Sequence, residues 1–213
     1  MQTKYSYWLF KDAISSIDRR KIKKIASDSK YTDATTKASH AVGGEKNLKL
    51  RDTRVAFSDK EYLYDLLCPY VHGANKNAGW NFDIDWFEPV QIAKYVKNQH
   101  YSWHTDGSSD VHGSYAEGEN FKGKIRKLSL VGMISNGYTG GELELALQSQ
   151  DEENEILNPN MMVGDVIVFP SFLFHRSTAI TKGVKHSVAM WCLGPPFKLS
   201  LIHISEPTRL LSI

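Results

Sequence analysis

The sequence predicts a mainly β fold with a helical layer, arranged as a double-stranded β-helix (jelly roll) barrel. Three observations predict it. Short apolar or alternating runs at Leu128 to Ile134, Glu142 to Leu147, Asp165 to Phe169, Phe174 to Ala179 and Val184 to Leu193 crowd the C-terminal half between glycine and proline turns. Two stretches, Asp12 to Ala26 and the residues after Ser58, carry apolar groups at helical spacing. The length of 213 residues suits a single domain with a sizeable core.

Residues 1–50 read as a preamble that precedes the main unit or packs on it. Tyr5, Tyr7, Trp8, Leu9 and Phe10 open it, and Ile14, Ile17, Ile22 and Ile25 form an imperfect helical stripe. The basic run Arg19 to Lys24 reads as a solvated helix face, and 27–49 as a flexible Ser/Thr/Lys/Gly loop.

Residues 51–198 form the main unit. Arg51 to Phe57 is a short strand, Ser58-Asp59 an N-cap, and Tyr62, Leu63, Leu66, Leu67 and Tyr70 the apolar face of the next helix. Pro69 demands a break or kink if that helix continues. Trp80 to Phe87 alternates as a half-buried strand, and Pro89 to Val96 starts another, on which Gln91, Ala93 and Tyr95 share a face. Tyr95 is there either a group facing a bound molecule or a core tyrosine with a satisfied hydroxyl. Gly107 to Lys124 is long and glycine-rich, as a substrate loop would be, with Asp110 and His112 as its polar groups. A turn is expected at 149–154.

The chemistry centres on Tyr101-Ser-Trp-His-Thr-Asp106. In an extended strand alternate residues share a face, so His104 and Asp106 present an imidazole and a carboxylate side by side. His175, after the buried-strand pattern Val166 to Phe169 and a Pro-Ser turn, is the best third partner. Two histidines and one carboxylate leave a face of an octahedral ion open, the arrangement by which non-haem iron(II) binds a cosubstrate and oxygen together. Lys185 begins the following strand, where its ammonium can pair with an acid inside the barrel; the competing reading is a surface lysine on a hairpin. Trp191 lies farther along that strand, and Tyr138-Thr-Gly-Gly-Glu-Leu143 turns into an alternating one.

Together these residues resemble the iron(II)- and 2-oxoglutarate-dependent dioxygenase superfamily, in its prolyl 4-hydroxylase-like branch. The resemblance runs from Arg51 to Lys198 through Tyr101-x-x-His-x-Asp106, Lys127-Leu-Ser-Leu130, Tyr138-x-Gly-Gly-Glu-Leu143, Gly164-Asp-x-Ile-x-Phe-Pro-Ser171, His175 and Lys185. It implies that His104, Asp106 and His175 are the iron ligands and that Lys185 holds the distal carboxylate of 2-oxoglutarate. All four are then catalytic residues, with Tyr95 and Trp191 beside the cosubstrate. It also implies O2 as oxidant, ascorbate as reductant, and hydroxylation of a peptidyl prolyl or related substrate with release of succinate and carbon dioxide. A free amino acid or another small molecule is the alternative substrate, and a cupin-like binding protein without turnover the alternative class. Met133 stands where some relatives place a tyrosine, a departure from the pattern.

Composition narrows the rest. The 26 basic and 24 acidic residues leave a formal charge of +2, which calls for no nucleic acid and no anionic membrane. Cys68 and Cys192 lack metal or redox spacing and read as reduced thiols. Without an apolar leader or a bilayer-length run, a cytoplasmic protein is expected. Residues 199–213 look like a non-native tail resembling translated sequencing adapter, so His203 is set aside as a ligand.

Overall fold

The structure is a computed structural model that describes residues 5–35, 47–107, 121–147 and 155–197. The bulk of the expected loop at Gly107 to Lys124, the middle of the 27–49 loop, the turn at 149–154 and the tail 199–213 lie outside the described residues.

Two sheets face each other. The larger, of eight strands, runs β1 (Trp8–Phe10), β12 (Val166–Pro170), β8 (Ile125–Met133), β15 (Lys185–Gly194), β6 (Val90–Tyr95), β4 (Arg54–Ser58) and β2 (Thr32–Asp33), with β5 (Trp86–Phe87) also paired to β15. The smaller runs β11 (Glu155–Leu157), β10 (Leu143–Leu147), β13 (Phe174–Ser177), β7 (His100–His104) and β3 (Arg51–Asp52). A two-stranded ribbon joins β9 (Thr139–Gly140) to β14 (Ile180–Lys182). Every described pairing is antiparallel. The architecture is the expected mainly β jelly roll over a helical layer, but as a sandwich: among the described residues neither sheet pairs its edge strands with the other, so no barrel closes.

Alternation along the large sheet divides its two faces. Ile92, Leu130, Val168, Val188 and Met190 point to one side, where α1 (Ser16–Asp28) and α2 (Glu61–Asn77) bury Ile22, Ile25, Leu63, Leu67 and Val71 against them. Each such fully buried Leu, Ile or Val contributes about 1.5–3 kcal/mol of transfer free energy, which makes this layer the main core. Gln91, Ala93 and Tyr95, with Met133, Lys185, Ala189 and Trp191, point the other way, toward the small sheet.

Several local expectations are corrected. Helix α1 begins at Ser16 and not near Asp12, capped by Ser15, which accepts from Asp18 N; Ile17 is exposed, and Ile14 is buried just ahead of the helix with its N–H on Gly164 O. Helix α2 is capped at Lys60 without a side-chain bond and runs past Pro69 to Asn77. Residues 80–85 are irregular and only 86–87 form a strand. Asn81 takes φ +50°, Asn75 hydrogen-bonds both Phe82 N and Phe82 O, and the Trp80 indole donates to Tyr5 O, so these groups bond locally and not to a neighbouring strand. No described helix is long and apolar enough to cross a membrane.

Candidate active site

The site lies between the sheets, and backbone pairing assembles it. His104, the last residue of β7, sits directly opposite His175 of β13, with ring centroids 4.1 Å apart. Asp106 lies beyond the strand in a bend, not within it as the alternation argument supposed. Its N–H and that of Gly107 both donate to Ser171 O, which turns the chain so that the carboxylate meets both imidazoles. Asp106 Oδ1 is 3.5 Å from His104 Nε2 and Oδ2 is 3.3 Å from His175 Nε2. One potential ligand atom from each of the three residues lies within 4.8 Å of the others.

The tautomers suit a metal. His104 Nδ1 donates to Ser102 O at 2.8 Å and His175 Nδ1 to Leu173 O at 2.9 Å. A carbonyl can only accept, so each Nδ1 carries the proton and each Nε2 lone pair turns inward. Burial alone would raise the Asp106 carboxyl, but His175 and His104 outweigh it and hold the group well below the usual carboxylate range. Burial keeps His104 below its ordinary value and so neutral, whereas at His175 the nearby Asp106 carboxylate outweighs burial. An arriving cation therefore meets a full carboxylate. Two neutral imidazoles and a carboxylate, open on the pocket side, fit an iron(II) ion.

Lys185 is buried in the same pocket. Its Nζ donates to Gly141 O at 2.6 Å and Ser177 Oγ at 2.9 Å, both neutral acceptors, and lies 5.2 Å from the Tyr95 ring centroid. Burial lowers its pKa to about 8. The Tyr95 ring lines the pocket, and its buried hydroxyl lies beside Thr53 and Arg51. Trp191 lines the pocket under the Arg126 guanidinium, 4.1 Å from its ring, and its buried indole N–H has no partner among the described residues. Met133 lines the pocket as well.

Sequence reasoning missed several groups. Ser129 Oγ donates to Asp106 Oδ2 at 2.8 Å and shares a hydrogen bond with Ser171 Oγ. Arg51 is buried, donates to Gln91 Oε1 at 3.0 Å, lies over the Tyr101 ring, and keeps a buried Nε without a partner. Tyr101 in turn stacks on His104 with centroids 3.4 Å apart. A hydroxyl at an inward position of the apolar run Lys127-Leu-Ser-Leu130 was the available signal for Ser129; nothing in the sequence singled out Arg51.

The profile of the 2OG-Fe(II) oxygenase superfamily matches residues 90–193, a span that holds all three triad residues and Lys185. The match and the fold support a 2-oxoglutarate-dependent dioxygenase with a prolyl 4-hydroxylase-like fold. Among similar solved structures, a Pseudomonas putida prolyl-4-hydroxylase superposes with a TM-score of 0.65 at 14% identity, covering 89% of this chain and 93% of that one. The viral collagen prolyl hydroxylase of Paramecium Bursaria Chlorella virus-1, solved with 2OG, gives 0.60 at 17% identity over 90% and 97%. A Trichoplax adhaerens prolyl hydroxylase in complex with a hypoxia inducible factor peptide fragment gives 0.61 at 10% over 89% and 84%. At such identities these likenesses concern the fold. A search of curated protein sequences finds no match.

Proposed function

We propose that the protein hydroxylates a peptidyl prolyl or related side chain, consuming 2-oxoglutarate and O2 and releasing succinate and carbon dioxide, with ascorbate as reductant. The observation that carries this reading is Lys185: a buried ammonium with only neutral hydrogen-bond acceptors, in the same pocket as the triad, calls for an anionic ligand. In this reading His104, Asp106 and His175 hold iron(II), and Lys185 pairs with the distal carboxylate of 2-oxoglutarate. The bound metal would supply the centre at which 2-oxoglutarate and oxygen react and a substrate C–H bond is oxidised. Every other task falls to this chain.

The two histidine N–H to carbonyl bonds fix the imidazoles, and Ser129 fixes the carboxylate. Tyr95 and Trp191 flank the cosubstrate; the Tyr95 ring, Met133 and Leu143 keep its surroundings dry, while the Trp191 indole N–H and Arg51 Nε are donors left for ligand oxygens. A peptide substrate is supported by the Trichoplax neighbour, which was solved with a peptide. That the oxygenase unit spans 51–198, with residues 1–50 packed on it, is supported by β1 lying beside β12 and by Ile22 and Ile25 in the main core.

The test is succinate release from 2-oxoglutarate with iron(II) and ascorbate, with and without proline-containing peptides. Stimulated turnover and a mass increase of one oxygen on the peptide are expected. Turnover that ignores every peptide but responds to a free amino acid would overturn the peptidyl reading.

A further inference from the structure

A second cleft lies at the outer edge of the large sheet and shares no lining residue with the catalytic pocket. It is an open hollow of about 500 Å³, the size of a small-molecule site, bounded by Asp59, Tyr64, Asp85, Trp86, Phe87 and Pro89. Its aromatic walls are held in place. Trp86 and Phe87 pair with Leu193 and Cys192 of β15, and Phe87 stands edge to face with His72. Tyr64 comes from the first turn of α2, with its hydroxyl turned to Glu88 O at 3.5 Å. Little ordering cost would therefore attend binding. Trp86 remains 36% exposed, so its indole is open to a ligand. Elsewhere Lys21 lies over Tyr62 and Arg126 over Trp191, but among the described residues no cation lies over Tyr64, Trp86 or Phe87.

The charge in the cleft is negative. Asp85 is 2.9 Å from Lys124 and so partly neutralised, whereas Asp59 is exposed and has no ion-pair partner among the described residues. Burial, and after it the Asp59 carboxylate, pushes the Tyr64 hydroxyl up, so this charge acts within reach of the ring. An aromatic face carries the negative part of its quadrupole and attracts a cation, and a neighbouring carboxylate adds to the pull. The kind of cation follows from the walls. A primary ammonium or a guanidinium brings several N–H donors that need acceptors, which aromatic and prolyl side chains supply poorly. A quaternary ammonium has no N–H and gives up no hydrogen bond to enter. We infer that this cleft binds a small molecule bearing a quaternary ammonium group, seated against Tyr64 and Trp86 with Asp59 as its counter-charge. The site stands apart from the catalytic pocket and does not depend on the catalytic proposal.

Calorimetric titration of the full chain tests it with three probes: choline, the primary amine ethanolamine, and dimethylbutanol, the uncharged isostere of choline with carbon in place of nitrogen. Choline should bind about tenfold more tightly than the isostere, a difference of about 1.4 kcal/mol, and more tightly than ethanolamine. Trp86→Ala should weaken choline binding severalfold, and Trp86→Phe, which keeps a ring there, should restore most of it. Asp59→Asn, at an exposed position where the fold is not at stake, should also weaken it severalfold. Asp106→Ala, altered only in the catalytic pocket, should bind choline as the parent does. Equal binding of the isostere or of ethanolamine, full affinity in Trp86→Ala or Asp59→Asn, loss of binding in Asp106→Ala, or no binding by the parent would each overturn the proposal.

Discussion

The Ser129 hydroxyl donates to Asp106 Oδ2 at 2.8 Å from the opposite sheet, so one strand of the large sheet orients a ligand presented by the small one. Asp106 lies in a bend beyond β7, and Ser129 and Ser171 are what hold its carboxylate between the two imidazoles.

Ser129→Ala should therefore weaken metal binding on the order of 10–100-fold while leaving the fold intact, the usual effect of removing a partner that orients a ligand. Titration of the metal-free protein with cobalt(II) or iron(II), read beside a thermal unfolding curve, checks it. Unchanged affinity would assign the orientation of Asp106 to its backbone bonds alone.

Lys185 carries the cosubstrate prediction. Lys185→Ala should weaken 2-oxoglutarate binding by about 2–5 kcal/mol, the cost of truncating one member of a buried charge pair. Metal affinity should hardly change, because Lys185 bonds Gly141 and Ser177 and no triad residue. Calorimetry with the manganese(II) form separates the two effects, and equal losses in both would mean that the lysine supports the whole pocket.

The same residue sets a pH dependence. Burial lowers the Lys185 pKa to about 8 in the free protein, and only the protonated amine attracts a dicarboxylate. Affinity should be full below about pH 8 and fall above it, approaching tenfold per pH unit until the higher pKa of the bound form is reached, beyond which it levels off. In Lys185→Ala the residual binding should be flat over this window. A parent affinity that stays level to pH 9 would show that the amine of the free protein is still protonated there or does not touch the ligand.

The sequence made most strands, the two histidines and the buried lysine legible because each rests on local patterning that survives packing, whereas Asp106 joins the histidines from a bend beyond β7 and not by strand alternation. His104 and His175 fall opposite each other through strand pairing, and Lys185 opens a strand, as the pattern implied. Failures came where a long-range bond replaced local propensity. Trp80 to Asp85 alternates like a strand, yet Asn75 and Tyr5 capture its polar groups. Ile17 fits a helical stripe, yet α1 turns it to solvent and buries Ile14 before the helix begins. Arg51 was invisible for a related reason: its role depends on Gln91, Tyr95 and Tyr101, which only the stacking of two sheets brings together.

The paired glycines of Tyr138-Thr-Gly-Gly-Glu142 give the last prediction, since they separate stability from cosubstrate binding. Both adopt positive φ, +75° at Gly140 and +71° at Gly141, where a side chain is strained. At Gly140 an added Cβ would strike the backbone oxygen of Ala179, which the β9–β14 pairing keeps from yielding. Gly140→Ala should thus cost on the order of 1–3 kcal/mol of stability. At Gly141 the added carbon would press on Ile180 Cδ1 and come within 3.1 Å of Lys185 Cδ, beside the carbonyl that accepts from Lys185 Nζ. Gly141→Ala should also lose stability, but in addition it should displace the ammonium and weaken 2-oxoglutarate binding, leaving metal affinity close to the parent's. Chemical denaturation together with calorimetry on both variants distinguishes the two positions, and a Gly141→Ala protein that binds 2-oxoglutarate normally would show that the lysine does not depend on this turn for its aim.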